Sequence, residues 1–439
     1  MGSGKTISLA GPSILFIYGL IGIMVFFVMR ALGELLLSNL NYKSFIDLST
    51  DLIGPWAGYF VGWTYWLCWV TIGIADLSAI IYYLEFFNGG ESFTPMGGLL
   101  ISTVAILFVL GLNLVTVKLF GEMEFWLAII KVVAIIAMIA FGSYLLASGS
   151  GHSQSSLQNL WQLGGFFPNG ITGLVMAMAM IMFAFGGIEL VGIAAAETDN
   201  PQKTLPKAVN QIVYRVLLFY ILSLVVILSL YPWNMMAEGG SPFVLIFDSL
   251  GSQTVAAVLN FVVLTAAVSV YNSTNYCTSR MLLGLAQQGN APKFLSKINP
   301  RGIPVNAIMV SAFFTLICVL INYLFPEKAF NLLMMLVVAA IVINWVVISY
   351  THLKFKKAMN RMQVKTHFPS VAYPFTNYLC IAFMASILLI MSRSPDMQIA
   401  VLMIPVWIAI LLTAYLFKRK QEDHVALLEK SKITSLPEA

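Results

Sequence analysis

Long apolar stretches alternate with short polar ones along nearly the whole chain. A helix that spans the hydrocarbon core of a bilayer needs about 20 mainly apolar residues, and segments of that length recur between polar breaks. The pattern predicts one polytopic all-α membrane domain over residues 1–417 and a short polar tail at 418–439. Eleven spans are predicted, at roughly 13–37, 57–87, 97–117, 124–148, 169–196, 208–232, 253–278, 304–325, 329–351, 371–392 and 397–417.

Composition agrees with a membrane protein and excludes a soluble enzyme. Of the 439 residues, 59% are hydrophobic and 10% are charged, whereas soluble domains carry about 25% charged residues. The net charge of +5 is small and does not indicate nucleic acid as a partner. We expect no disulfide, metal or cofactor, because the four cysteines lie in apolar segments without ligand spacing: Cys68, Cys277, Cys318 and Cys380. A nucleophile with a base is not evident, so a membrane-embedded enzyme is not favoured.

Lysine and arginine predict the orientation of the chain, because cytoplasmic loops collect them. With the end of the first span inside, most of the 24 Lys+Arg fall on the inner side, and the loops 149–168 and 233–252 contain none. The C-terminus is therefore expected inside and residue 1 outside, which predicts a further span upstream. The opening residues MGSGKTISLAGPS resemble the end of a helix followed by a Gly-Pro turn.

Ionisable side chains inside the spans are the first candidates for chemistry. Each costs about 2.5–3.5 kcal/mol on insertion scales, so each is a functional candidate until it is explained. Arg30 and Glu34 lie four residues apart and are predicted to pair across one helical turn. Asp76, Lys131 and Glu189 lack such an explanation.

Two of these three residues keep alternative roles. Lys131 lies seven residues after Glu124, about 10 Å into the membrane, where it either takes part in coupling or extends back to the interface. Asp76 has no cationic residue within one turn. It either exchanges protons or serves as a neutral hydrogen-bonded acid, and the second role is slightly favoured.

Glu189 lies in the string FAFGGIELVG at 183–192, about midway through a predicted span. The adjacent glycines Gly186 and Gly187 weaken the helix there, and irregular backbone at membrane depth is tolerated where it lines a cavity. A broken helix exposes backbone groups that grip small zwitterionic solutes. Close packing of helices through small residues is the alternative, and the neighbouring glutamate favours the break.

A group of polar residues lies in the span at 253–278. Ser269, Asn272 and Ser273 fall within five residues of one another. Hydroxyl and amide groups in such a position either line a polar path or bond across helices, and the second role is the commoner one.

Four segments resemble those of a known family. They are FAFGGIELVGIAAAETDNPQKTLPKA at 183–208, FGEMEFWLAIIKV at 120–132, MRALGELLLSN at 29–39 and SRMLLGLAQQGNAPK at 279–293. The chain resembles the bacterial amino acid permeases of the amino acid–polyamine–organocation superfamily over essentially its whole length. The resemblance implies twelve spans, the first ten forming two inverted repeats of five. It also implies a substrate held between broken helices one and six, and uptake driven by protons.

On that scheme the visible spans are the second to the twelfth. The family's glycine-rich first helix, which binds the substrate carboxylate, would lie before residue 1. The resemblance assigns the substrate amine to the backbone of the segment that contains the glycine pair: Phe183, Ala184, Phe185, Gly186 and Gly187. Phe185 or a neighbour would cover the pocket.

The resemblance also implies roles for the ionisable residues. Glu189 would link occupancy of the site to the gate, and the proton of Lys131 would replace the cation of sodium-coupled relatives. Three polar residues would face Lys131: Ser269, Asn272 and Ser273.

Different parts of the chain resemble permeases with different substrates. The first 80 residues look most like D-serine/D-alanine/glycine permeases, particularly MGSGKTISLAGPS at 1–13 and GPWAGYFVGWTYWLCWV at 54–70. From residue 120 onward the chain looks more like aromatic amino acid permeases, including TAAVSVYNS at 265–273 and LLMMLVVAAIVINWVVIS at 332–349. We expect a neutral, aromatic L-amino acid as substrate, in the bacterial cytoplasmic membrane, with a small neutral amino acid as the alternative. A truncated, non-transporting sensor or partner is the alternative of another class.

Overall fold

The computed structural model shows an all-helical chain. It describes residues 2–38, 42, 44–115, 117–151, 153–190, 198, 200–236, 253–324 and 326–434, and these residues contain helices and turns but no strand. The helices are α1 Gly2–Ala10, α2 Ile14–Ser38, α3 Phe45–Leu52, α4 Pro55–Phe87, α5 Pro95–Val115, α6 Val117–Ser148, α7 Gly170–Ile181, α8 Pro201–Arg215, α9 Ser223–Leu230, α10 Gln253–Gln287, α11 Val305–Leu324, α12 Pro326–Met362, α13 Phe375–Arg393 and α14 Gln398–Thr434.

Most of these helices are long and apolar enough to cross a membrane. Nine candidate spans lie within the described residues: Gly4–Ser38, Pro55–Phe87, Pro95–Leu114, Glu124–Ser148, Pro201–Leu230, Val305–Leu324, Leu332–Met362, Phe375–Arg393 and Gln398–Gln421. The shorter apolar helix Gly170–Phe185 and helix α10 cover two further predicted spans. The prediction of an all-α polytopic membrane protein is confirmed, and the count of eleven spans stays a prediction.

Several helices differ in length from the predicted spans. The helix α14 continues to Thr434, through most of the tail that was predicted as polar. The last part of the predicted span 169–196 lies beyond Leu190 and outside the described residues. Most of the loop 233–252 and the residues 435–439 also lie outside them.

The first two helices are joined by the predicted Gly-Pro turn. Helix α1 ends at Ala10, Gly11 has a positive φ of 59°, and the 3-10 turn Gly11–Ser13 leads into α2. Asn169 donates from Nδ2 to the carbonyls of Ser8 and Leu9, at 2.9 and 3.0 Å. This amide satisfies carbonyls at the end of α1 that have no partner within the helix, and thereby ties α1 to the start of α7.

The core lies between the long helices. Helix α4 packs against α10, α12 and α11, while α2 packs against α8, α12, α13 and α7, so α12 contacts both groups. Large apolar side chains on the outer faces of α5, α6 and α14 are exposed, among them Leu100, Phe108, Trp126, Leu402 and Phe417. A bilayer accounts for this exposure, because lipid tails solvate apolar side chains as well as a protein core does.

Candidate functional site

The helix that begins with α7 breaks at the predicted glycine pair. Helix α7 ends at Ile181, a 3-10 turn covers Met182–Phe185, and Gly186 is extended with φ −60° and ψ 141°. Gly187 follows with a positive φ of 91°. The amide of Gly186 donates to the carbonyl of Phe183 at 3.1 Å, which closes the 3-10 turn.

Each glycine of the pair meets a close neighbour. A Cβ at Gly186 would lie 2.5 Å from Ile341 Cδ1 of α12, and one at Gly187 would lie 3.0 Å from Trp69 Cη2 of α4. A residue with a side chain would also be strained at the positive φ of Gly187. The break is therefore set both by backbone conformation and by the close approach of two neighbouring helices.

Glu189 lies just after the break and is buried. Its Oε2 accepts a hydrogen bond from Trp345 Nε1 of α12, at 3.2 Å. Because Trp345 is itself fully buried, the carboxyl group is tied to a rigid part of the core. Nothing in the sequence around Trp345 had indicated this contact.

An aromatic cluster covers the other side of the break. The ring centroids of Tyr18 of α2 and Phe185 lie 5.6 Å apart, and Tyr220 lies 5.2 Å from each of them. The Tyr220 hydroxyl donates to the carbonyl of Ala184 at 3.0 Å. Tyr220 belongs to the π-helical segment Val216–Leu222, which joins α8 to α9, and such segments are frequent at functional sites.

A cavity of about 390 Å³ lies next to the break. This volume is within the range of about 300–1,000 Å³ that is typical of small-molecule sites. Its walls combine Ala184 of the break and two rings of the aromatic cluster with residues of the neighbouring helices: Ile7, Tyr18, Lys131, Val132, Ile135, Ala184, Arg215, Phe219, Tyr220, Ser223, Leu224 and Ile227. Ala184 and Lys131 thus border one space.

Lys131 of α6 is joined to α10 and to a carboxylate on its own helix. Its Nζ donates to Ser269 Oγ at 2.8 Å and lies 3.5 Å from Glu124 Oε1, to which Ser269 Oγ also donates at 2.8 Å. Glu124 and Lys131 are seven residues apart and therefore share one helix face. That spacing is the signal that could have added Glu124 to the candidates.

Of the other predicted polar residues of α10, Asn272 contacts a different helix. Asn272 is buried, and its Oδ1 accepts from Asn113 Nδ2 of α5 at 2.9 Å. Ser273 is half-buried one turn after Ser269. Asp76 of α4 accepts from Thr274 Oγ1 at 2.9 Å. The structure brings Lys131 together with Ser269, while Asn272 and Asp76 join α10 to α5 and α4.

The predicted pair of Arg30 and Glu34 is wrong. Arg30 donates to the carbonyl of Pro369 and to Asn210 Oδ1, both at 3.1 Å. Glu34 instead forms a hydrogen bond with His352 Nε2 at 2.9 Å and an ion pair with Lys356 Nζ at 2.8 Å, both from α12. Partners from α8, α12 and the segment before α13 thus take the place of the predicted contact within α2.

Comparison with known proteins agrees with this architecture. Residues 1–426 match the amino acid permease family. The chain is 52% identical over 420 residues to the aromatic amino acid transport protein AroP of Escherichia coli (strain K12). The aligned region covers 96% of this chain and 91% of the relative. The chain is also 52% identical over 421 residues to AroP of Salmonella typhimurium (strain LT2), with the same coverage.

A third relative is less similar to the chain. The chain is 44% identical over 425 residues to the uncharacterized transporter YdgF of Bacillus subtilis (strain 168), covering 96% of this chain and 92% of the relative. The fold, the broken helix and these matches define a multi-pass membrane transporter. The chain belongs to the amino acid permease family, which confirms the resemblance found in its sequence.

Proposed function

We propose that this protein takes up a neutral, aromatic amino acid together with a proton across the bacterial cytoplasmic membrane by alternating access. The observation that carries the proposal is the broken helix after α7, where Ala184 lines a cavity together with Tyr18 and Tyr220 of the aromatic cluster. The charge distribution supports an orientation with the C-terminus and the Glu34 end of α2 in the cytoplasm. The names of the AroP relatives support an aromatic substrate.

The substrate amine is assigned to the backbone around the break. Phe183, Ala184, Phe185, Gly186 and Gly187 leave the regular helical hydrogen-bond pattern. The carbonyls of Phe183, Ala184 and Gly187 each accept one hydrogen bond within the protein, and a carbonyl oxygen has a second lone pair that can accept from an ammonium group. An ammonium group has three N–H donors, and an acceptor cluster of backbone carbonyls matches it without a buried counter-charge. Glu189, tied to Trp345, links occupancy of this segment to the packing of α12.

The aromatic cluster suits an aromatic side chain. Tyr18, Phe185 and Tyr220 already pack with ring centroids 5.2–5.6 Å apart, a spacing that favours tilted and offset contacts. A ring of the substrate added to this cluster gains apolar contact area and ring–ring contacts together.

The proton is assigned to the group formed by Glu124, Lys131 and Ser269. Glu124 Oε1 is occupied by Ser269 and Lys131, whereas its Oε2 is buried without a hydrogen-bond partner among the described residues. This unsatisfied oxygen, beside the Lys131 ammonium group, is the acceptor at which we place the transported proton. Asp76, bonded to Thr274, is assigned a structural role.

Uptake into proteoliposomes that contain the full chain tests the proposal. With an imposed pH gradient, labelled phenylalanine should accumulate, a protonophore should abolish accumulation, and unlabelled tyrosine and tryptophan should compete. Accumulation that a protonophore leaves unchanged would contradict proton coupling. Competition only by glycine, D-alanine and D-serine would establish the small neutral substrates instead. The absence of exchange and uptake for all of these compounds would favour a non-transporting sensor or partner.

A further inference from the structure

The carboxylate of Glu34 lies at the end of α2 remote from the break and is fully enclosed, with an exposed fraction of 0%. Its Oε1 accepts from Lys356 Nζ at 2.8 Å and from the hydroxyl of Thr366. Its Oε2 pairs with His352 Nε2 at 2.9 Å and accepts from the amide of Ser370 at 2.6 Å. Both oxygens are therefore saturated with donors, which is what a buried carboxylate requires.

The donors come from elements that are far apart in the chain. His352 and Lys356 lie on α12, while Thr366 and Ser370 lie on the segment 363–374 that joins α12 to α13. We call these four residues and Glu34 the Glu34 cluster. One carboxylate thus joins the end of α2 to α12 and to the connection that follows it.

The protonated nitrogen of the histidine is indicated by its second neighbour. Asn377 of α13 lies with Nδ2 2.9 Å from His352 Nδ1 and also donates to the carbonyl of Ser349 at 3.1 Å. An amide nitrogen is a donor, so Nδ1 is the acceptor and the ring proton lies on Nε2, directed at Glu34. Asn377 therefore connects the Glu34 cluster to α13.

A second set of contacts closes the same junction. The Arg30 guanidinium lies 3.6 Å from the centre of the Phe368 ring and donates to the carbonyl of Pro369. Gly33 faces this ring so closely that an added Cβ would lie 3.0 Å from Phe368 Cε1. Through these contacts the segment 363–374 packs against one face of α2.

Helix α2 connects this junction to the broken helix. Tyr18, at the aromatic cluster, and Glu34 belong to the same continuous helix and are separated by 16 residues, which corresponds to about 24 Å at 1.5 Å rise per residue. A rigid helix of this length transmits a displacement at one end to the other. One continuous helix thus connects the Glu34 cluster with Tyr18 at the break.

Stability alone gives little reason for such a cluster. Well-packed apolar residues commonly replace a buried ion pair without loss of stability, whereas buried ionic contacts serve well where one arrangement has to be chosen over another. We propose that Glu34 is a positioning residue of the transport cycle. The Glu34 cluster fastens the end of α2 to α12 and the segment 363–374 in one state of the protein, and this contact opens in the other.

This inference rests on the proposed alternating-access transport, and a reversible crosslink tests it. The double variant Gly33→Cys with Phe368→Cys is linked with a bis-methanethiosulfonate reagent in proteoliposomes, and phenylalanine uptake is measured before linking, after linking and after reduction. Linking should lower uptake at least about 10-fold, and reduction should restore it. The single variants treated in the same way are the controls for reaction at the native cysteines.

The outcomes separate the two proposals. If the linked double variant transports as well as the unlinked one, the contact stays closed throughout the cycle and the positioning role is overturned. If the parent protein itself does not take up or exchange phenylalanine, the proposed function fails independently of the crosslink.

The variant Glu34→Gln provides a measurement that does not depend on the cysteines. The amide keeps one acceptor but loses the charge, so the state that contains the closed junction is disfavoured. Vmax should fall about 10-fold, while KM and the amount of folded protein in the membrane change less than about twofold. A control is Glu85→Gln, because the Glu85 carboxylate lies near the end of α4 and, within the described part of the chain, accepts one hydrogen bond, from the amide of Phe93. Unchanged Vmax, or a loss of uptake that merely follows the loss of folded protein, would overturn the positioning role.

Discussion

At the scale of single residues, the two glycines of the broken helix are not interchangeable. Gly186 has an extended conformation that any residue adopts, and its constraint is the contact with Ile341 of α12. Gly187 has a positive φ and also meets Trp69. Only the second position is restricted by both the backbone and its neighbours, so it is the more demanding of the two.

The substitution Gly187→Ala should impair transport. Strain at a positive φ costs about 1–3 kcal/mol, and the protein relieves it by moving the backbone that is assigned to the substrate amine. We expect phenylalanine uptake to fall at least about 10-fold at equal membrane levels. The matched control is Gly111→Ala in α5, because an added Cβ there meets no atom within 4 Å. Uptake equal to that of the control would show that the conformation of Gly187 does not matter for binding.

At the scale of helices, a neighbouring helix supports the break. It consists of α8, the π-helical segment Val216–Leu222 and α9. The only described side-chain hydrogen bond from this segment to the break is that of Tyr220 to the carbonyl of Ala184. A π-helical segment contains an extra residue in its turn, which changes the direction of the side chains on either side of it. The π-helical segment between α8 and α9 thus supports the break after α7 through Tyr220.

The substitution Tyr220→Phe tests this support. It removes the hydroxyl but keeps the ring that packs on Tyr18 and Phe185, so about 0.5–1.5 kcal/mol of hydrogen bonding is lost. KM for phenylalanine should rise about 2- to 10-fold, with the amount of protein unchanged. Tyr144→Phe is the control, because that side chain is exposed on α6. A KM that changes equally in both variants would contradict a role for the hydroxyl.

At the scale of the whole molecule, α12 is the helix that joins the other parts. It packs against both α2 and α4, supplies His352 and Lys356 to Glu34, and supplies Trp345 to Glu189. The group of Lys131, Glu124 and Ser269 lies on α6 and α10, which contact each other directly. The proposed proton site and the proposed substrate site therefore lie on different helices, which the packing of the bundle connects.

The substitution Lys131→Met separates coupling from binding. Without the ammonium group, the proposed proton site loses the charge that pairs with Glu124. The pH gradient then no longer drives accumulation of the substrate. Accumulation driven by the gradient should fall at least about 10-fold, while exchange of labelled for unlabelled phenylalanine continues. Lys354→Met, at an exposed position of α12, is the control. Full accumulation in the Lys131 variant would exclude the coupling role.

The sequence by itself determined the class of protein, the approximate positions of the helices and the place of the broken helix. Apolar stretches of about 20 residues and an adjacent glycine pair are local features, and the bilayer imposes the same requirements wherever they occur. The contact of Lys131 with Ser269 was anticipated through family resemblance rather than through either residue alone. The roles of both remain proposals.

Only the tertiary structure decided which polar groups meet. Arg30 and Glu34 are one turn apart in the sequence, yet their partners are about 180 and 320 residues away. Trp345 and Tyr220 resemble any other aromatic residue in a span, and nothing local marks them as partners of Glu189 and Ala184. In an apolar environment each buried polar group has to find a donor or acceptor, and the packing of distant helices determines which one is within reach.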